Sequence, residues 1–284
     1  MNPNELARVR QVALELAHEA AELLSQRWRK GTHAAKKGAV DLVTEADLAA
    51  DRLLRERLGR AFPTHCVVSE ENAEPAAGAV FAAGDEDGRQ PCWFVDPLDG
   101  TTNFAHGHPF FAVSLGLVVG GAPVLGAVVA PALGVAWSGG PDLPSKRDGS
   151  LCHPTKNARL DEALLATGFP YDRRVDPDHN LAEFAALELR TRGVRRCGSA
   201  AIDLCFVADG TYDGYWEQKL APWDVAAGAA IVLGGGGVVT DYDGAPLRLP
   251  TVGTAARAYR ARVVATGGPL HEPLRAAVLA ARPG

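Results

Sequence analysis

From Phe110 to Pro141 the chain carries no charged side chain. A run of that length could cross a bilayer, which takes about 20 apolar residues. However, Gly120-Gly121-Ala122-Pro123 interrupts it, and Pro131 and Gly134 interrupt it again. The pieces between are short and rich in Val and Leu. Bounded by such residues, they read as buried strands joined by tight turns, and no membrane span is expected.

Helical and strand signals alternate irregularly around this run. Leu6, Val9, Ala13, Leu16, Ala20, Leu23 and Leu24 recur at one-sided helical spacing up to Trp28, and Gly31 stops that helix. The polar segment Thr32 to Val40 reads as a loop. A second helix runs from near Thr44 to about Phe62, where Pro63 closes it. Cys66 to Ser69 and Cys92 to Val95 read as short strands, with Asp96 opening a loop. Between them, Asn72 to Gln90 is an acidic surface insertion. Pro141 to Lys156 is turn-rich, with a turn signal at Asp148-Gly149.

Farther on, Leu160 to Thr167 and Tyr212 to Trp216 suit strands, while Asn180 to Arg190 and Ala200 to Ala208 suit helices. Asp224 to Leu233 is a small-residue helix stopped by glycines. Strands at Val238 to Thr240 and Arg262 to Thr266 precede a last helix, Glu272 to Ala281. With no strict βαβ rhythm, the pattern predicts an α/β chain of the layered α+β kind. The 284 residues suit one large domain, with an N-terminal half of about 1–150 packed on a C-terminal half of about 151–284.

The net charge of −5 is spread along the chain without a basic stripe, which argues against nucleic acid as a partner. The five cysteines form no CxxC pair, and Met1 to Arg10 is polar, without an apolar leader. A reduced, cytoplasmic setting is expected, with the cysteines acting as small buried hydrophobes.

The densest chemistry lies in Asp96-Pro97-Leu98-Asp99-Gly100-Thr101-Thr102. Two carboxylates sit three residues apart beside a proline that restricts the backbone on both sides. Held close, such carboxylates repel unless a cation lies between them, and hard oxygen donors suit Mg²⁺. Gly100-Thr101-Thr102 offers backbone N–H groups to a phosphate. Alone, Asp224 would read as a helix cap, Glu70-Glu71 as an exposed acidic pair, and Thr44 to Asp47 as a capping box.

Four segments together resemble the inositol monophosphatase family, in the same order. They are Asp41-Leu42-Val43-Thr44-Glu45-Ala46-Asp47, Ser69-Glu70-Glu71, Trp93 to Phe104, and Trp223-Asp224-Val225-Ala226-Ala227-Gly228. The resemblance implies an αβαβα sandwich of the inositol monophosphatase/fructose-1,6-bisphosphatase type. It implies two or three Mg²⁺ ions, sensitivity to lithium and a homodimer. Glu70, Asp96 and the Leu98 carbonyl would hold the ion that activates water. Asp96, Asp99 and Asp224 would hold a second, near the leaving oxygen, and Glu70 would help hold a third.

By the same resemblance, Thr101 paired with Asp47 would orient the water and take its proton, while the Gly100 and Thr101 amides would hold the phosphate. Ala200 and Glu217 would meet the hydroxyls of a small phosphorylated polyol, and Lys36 lies in the loop that closes over the metal site. No histidine is required, although His106 and His108 lie nearby. Lys219-Leu220-Ala221 departs from the family pattern, in which a glycine and a larger or polar residue are common. Three readings remain open: an inositol-1-monophosphatase; the same chemistry on histidinol phosphate or fructose 1,6-bisphosphate; and a regulatory or scaffolding protein that keeps the metal site as a staple.

Overall fold

The structure, a computed structural model, describes residues 1–30, 34–36, 42–71, 90–250 and 258–282. Gly31, Asp41 and the acidic insertion from Glu74 to Asp87 lie outside the described residues. The chain opens with helix α1 (Pro3–Lys30), hairpin strands β1 (Ala34–Lys36) and β2 (Leu42–Thr44), and helix α2 (Glu45–Ala61). The segment read as a loop from Thr32 therefore contains a strand. Antiparallel pairing uses the backbone alone, so a polar sequence does not forbid it.

A seven-stranded sheet follows in the order β3 (Cys66–Ser69), β4 (Cys92–Asp99), β5 (Ala112–Val119), β6 (Ala122–Ala130), β7 (Val135–Gly140), β8 (Leu143–Arg147) and β9 (Ser150–Leu151). The uncharged run supplies β5, β6 and β7. No helix among the described residues is long and apolar enough to cross a membrane. The turn-rich stretch after Pro141 holds β8 and β9. Asp148 and Gly149 join them with φ of 48° and 85°, as a two-residue hairpin turn demands.

Strand β4 does not stop at Val95. It runs to Asp99, with its register against β5 shifting between Asp96 and Asp99. Pro97 sits in that gap, where it has no N–H to give the ladder. Helix α3 (Thr101–Ala105) follows directly.

The second sheet has five strands: β10 (Leu164–Thr167), β11 (Gly193–Arg195), β12 (Gly214–Leu220), β13 (Val238–Thr240) and β14 (Ala261–Thr266), ordered β11-β10-β12-β14-β13. Its helices are α4 (Leu181–Glu188), α5 (Ala200–Ala208), α6 (Pro222–Gly234) and α7 (His271–Ala281). Leu160–Glu162 forms a 3₁₀ turn instead of extending β10, and its acidic residues, Asp161 and Glu162, are exposed. Helix α6 begins at Pro222, earlier than Asp224, because proline suits the first helical position.

Strand alternation sorts the core into layers. Trp93 and Val95 of β4 face α1 and α2, whereas Cys92 and Phe94 face α5 and α6. In the second sheet Tyr215, Val263 and Ala265 also face α5 and α6, whereas Trp216 and Val264 face α4 and α7. The order is helices, sheet, helices, sheet, helices: the αβαβα sandwich. Four of the five cysteines are buried and Cys197 is half-buried, all as free thiols.

Helix α6 approaches the seven-stranded sheet at backbone distance. A Cβ on Gly126 would lie 2.1 Å from the Ala227 carbonyl oxygen, and one on Gly116 would lie 2.5 Å from the Ala226 Cβ. No side chain fits between the layers there. By contrast, a Cβ on exposed Gly59 in α2 meets nothing within 4 Å. Gly126→Ala should therefore destabilise the fold by about 2–3 kcal/mol through overpacking. Gly59→Ala should stabilise it by about 0.5–1 kcal/mol through helix propensity. Urea titration of both variants checks this, and equal midpoints would refute the close-packing argument.

Candidate active site

The end of β4, the start of α6 and the start of α5 converge between the two sheets. Adjoining cavities of about 370 and 390 Å³ share Asp99, Gly100, Thr101, Glu217 and Asp224. Ala200 lines the first, and Glu70, Asp96 and Leu98 line the second. Asp47, buried in the first turn of α2, joins through Thr101, whose Oγ1 lies 3.1 Å from Asp47 Oδ1 and 3.1 Å from the Leu98 carbonyl oxygen. The structure thus brings together the acids, Thr101, Ala200 and Glu217 singled out in the sequence, while of the Lys36 side chain nothing is described. His106 and His108 line neither cavity.

Asp96 and Asp224 are oriented by nearby backbone amides, and Asp99 by the start of α5. The Leu98 amide donates to Asp96 Oδ1 at 3.0 Å, closing a tight turn across Pro97. Ser199 Oγ and the Ala201 amide donate to Asp99 Oδ2 at 2.6 and 2.8 Å, so that one oxygen of Asp99 is fixed by the first turn of α5. The Ala221 amide donates to Asp224 Oδ2 at 2.7 Å. Gly100 adopts φ 97°, where a Cβ would lie 2.8 Å from the Phe110 carbonyl oxygen; only glycine makes that turn from strand into α3. Asn103 ties the region shut, its Nδ2 lying 2.6 Å from the Phe110 carbonyl oxygen and 2.8 Å from that of Cys197.

The charges are mutually unfavourable. Burial pushes Asp96 well above the usual carboxylate range, and the charges of Glu70, Asp99 and Asp224 push it further; the Leu98 hydrogen bond works the other way. Burial, then Glu70 and Asp99, raises Asp224 well above that range. Asp99 rises to about 6 through burial, although Ser199 and the α5 amides favour its charged form. Burial raises Glu217 to about 7, opposed by the Tyr215 hydroxyl, which donates to Oε2 at 2.5 Å, and by the charge of Arg196.

These acids face common space without closing on one point: no three His, Cys, Asp or Glu groups among the described residues form a ready ligand cage. The donors still fit a hard divalent cation. All are oxygens, and a cation would relieve the repulsion that raises Asp96 and Asp224.

Glu217 proves to be a central residue. Its strand β12 lies in the middle of its sheet, not at an edge, and the carboxylate is buried. Three contributors escaped the sequence reading: Ser199, Tyr215 and Asp203. Ser199 caps α5, its Oγ accepting from the Ile202 amide at 3.3 Å, and a serine before an apolar helix was a legible capping signal. Tyr215 alternates with Glu217 on one face of β12. Asp203 lines the first cavity, but nothing near it in the sequence pointed there.

Residues 5–278 match the pattern of the inositol monophosphatase family. Among curated proteins, the chain is 40% identical over 280 residues to the inositol-1-monophosphatase of Synechocystis sp., covering 98% of this chain and 91% of that one. It is 37% identical over 237 residues to the Nus factor SuhB of Pseudomonas aeruginosa, covering 82% and 85%. Among solved structures, inositol monophosphatase from Anabaena (Nostoc) superimposes with a TM-score of 0.83 at 37% identity, covering 98% of each chain. Sequence pattern, relatives and architecture agree that the chain belongs to the inositol monophosphatase family, and it is a phosphoric monoester hydrolase.

Proposed function

We propose that the chain hydrolyses the phosphate ester of a small polyol, inositol 1-phosphate foremost, in an Mg²⁺-dependent reaction. The observation that carries this reading is the gathering of Glu70, Asp96, Asp99 and Asp224 beside the Thr101–Asp47 pair, in cavities that Glu217 also lines. Glu70, Asp96, Asp99, Asp224 and the Leu98 carbonyl would hold the ions. When bound, Mg²⁺ supplies Lewis-acid stabilisation of the negative charge that develops as phosphate is transferred to water.

The remaining work falls to the chain. Thr101 Oγ1 donates its proton toward Asp47, which leaves its lone pairs to accept from the attacking water. As the water's proton moves to Thr101, the hydroxyl proton passes to Asp47. The Gly100 and Thr101 amides hold phosphate oxygens, and burial excludes competing solvent. At the other end Glu217 accepts hydrogen bonds from vicinal hydroxyls, its orientation fixed by Tyr215. Lithium sensitivity, a homodimer and a reduced cytoplasmic setting belong to the same reading.

A second reading keeps the chemistry and changes the ester. Arg173 and Arg196 also line the first cavity, which favours a sugar bearing a second phosphate. A hydrolysis panel separates the two. kcat/KM for inositol 1-phosphate, histidinol phosphate, fructose 1,6-bisphosphate and a 3′-phosphonucleotide is compared at one Mg²⁺ concentration. Inositol 1-phosphate is expected to lead, and a higher value for the bisphosphate would replace it.

Two further outcomes are expected. Thr101→Ala should lower kcat by about 10²–10⁴-fold, the usual contribution of a general base, while thermal unfolding stays near wild type. Activity retained within a few-fold would remove Thr101 and Asp47 from the proton path.

The second outcome concerns pH. Asp99 has a folded value of about 6, above the unfolded value of about 4, so its charge destabilises the folded state. That cost is absent below about pH 4, grows as pH rises through the folded value, and is complete above it. A bound cation offsets it. At a hundredfold excess over Kd, Mg²⁺ should stabilise by about 2.7 kcal/mol at pH 7.5, or about 5–10 °C in Tm. The increment should shrink toward zero near pH 5. Scanning fluorimetry with and without Mg²⁺ checks this; an increment independent of pH would show that the ion binds elsewhere.

A further inference from the structure

Three non-glycine residues among those described adopt positive φ: Asp148 at 48°, Asn180 at 67° and Lys219 at 60°. Asp and Asn tolerate that region, whereas lysine gains nothing from it and carries the steric penalty of its Cβ. Lys219 is also the residue that breaks the register of β12. Gln218 pairs with Arg262 and Leu220 pairs with Ala261, with the shift between them. Such a bulge re-aims a side chain, and strain of this kind persists where surrounding contacts over-determine it.

Those contacts are specific. Lys219 Nζ lies 3.0 Å from Asp172 Oδ2 and 2.7 Å from Asp176 Oδ2. Both acids belong to the segment that leaves β10 and leads to α4. That segment begins at Gly168, where a Cβ would lie 2.1 Å from both carboxylate oxygens of Glu217. It continues through Phe169 and Tyr171, which line both cavities. Phe169 is braced from the other side by the Phe184 ring at 5.6 Å and the Arg196 guanidinium at 5.8 Å. Beyond Asp176, Asp178 accepts from Arg262 at 3.1 Å and Arg282 at 2.8 Å. The far end of the segment is thus tied to β14 and to the residue after α7, while the part beside the cavities is tied to Lys219.

We propose that Lys219 is a positioning residue that sets selectivity for the alcohol part of the substrate. From the bulge of β12 it grips Asp172 and Asp176, and so holds the Gly168–Tyr171 wall against Glu217. Phosphoryl transfer, carried by acids on other elements, does not depend on it. The inference rests on the phosphatase reading above and deepens it: a fixed wall beside a buried carboxylate recognises a ring bearing several hydroxyls, and does little for an ester without them.

The test is Lys219→Gly, because glycine adopts the positive φ without strain and removes only the grip. Asp172→Asn/Asp176→Asn is a second, independent route to the same loss at positions that are exposed and half-buried. KM and kcat are measured at saturating Mg²⁺ for inositol 1-phosphate and for phenyl phosphate, which has no hydroxyls. Both variants should raise KM for inositol 1-phosphate by about 5–20-fold, the upper range for two partly exposed ion pairs. kcat for both esters and KM for phenyl phosphate should stay within about threefold, as for loss of uniform binding to one moiety. Combining Lys219→Gly with the double asparagine variant should add no further loss, because all three side chains act through one contact.

Unchanged selectivity in Lys219→Gly, parallel losses on both esters, or additive effects in the combined variant would each overturn the inference while leaving the phosphatase reading intact. Wild-type protein inert toward both esters would overturn the two together.

Discussion

At Gly116 and Gly126 helix α6 meets the seven-stranded sheet with nothing but backbone and alanine between them, and the rest of the molecule is arranged around that contact. Gly116 and Gly126 provide the room on the sheet, and Ala226 and Ala227 provide it on the helix. The depth of the helix is therefore set by atoms that cannot change rotamer. Because Asp224 stands in the first turn of α6, its position relative to Asp96 and Asp99 on β4 is set by the same contact. A looser seat would move one acid away from the others, and a tighter one is sterically forbidden.

The electrostatic arrangement follows from that geometry. Buried acids that repel one another are expensive in a folded protein, and each is held by one or two donors at its back: the Leu98 amide for Asp96, the Ala201 amide and the Ser199 hydroxyl for Asp99, the Ala221 amide for Asp224. Those bonds orient each carboxylate without neutralising it. The site keeps a standing demand for positive charge, and the fold tolerates it because the surrounding layers bury a large apolar core.

Much of this was legible in the sequence, for reasons that differ by element. The uncharged run could be read as strands because Gly and Pro divide it at turn spacing, and β5, β6 and β7 lie there. The acids could be read because four short segments resemble one family in order. The end of β4 could not, since Pro97 looks like a strand terminator, and only the partner strand shows that pairing resumes at Asp99. Ser199 showed in the sequence only as a helix cap, since its bond to Asp99 spans a hundred residues, and Tyr215 was missed because its role is to orient another side chain, Glu217. Lys219 was visible only as a departure, and its backbone angle and two partners give that departure a physical content.

Asn103 places a single amide nitrogen near carbonyls from two distant stretches, Phe110 beside it and Cys197 at the far side of the chain. Asp47, Glu70, Asp96 and Asp99 lie on one side of that suture in sequence, and Glu217 and Asp224 lie on the other. Neither stretch owns a complete set of acids. A nascent polypeptide that has emptied only its first portion from the ribosome therefore lacks Glu217 and Asp224, and the set of acids is complete only once α6 has docked on the seven-stranded sheet. Competence to react is in this sense a certificate of finished assembly.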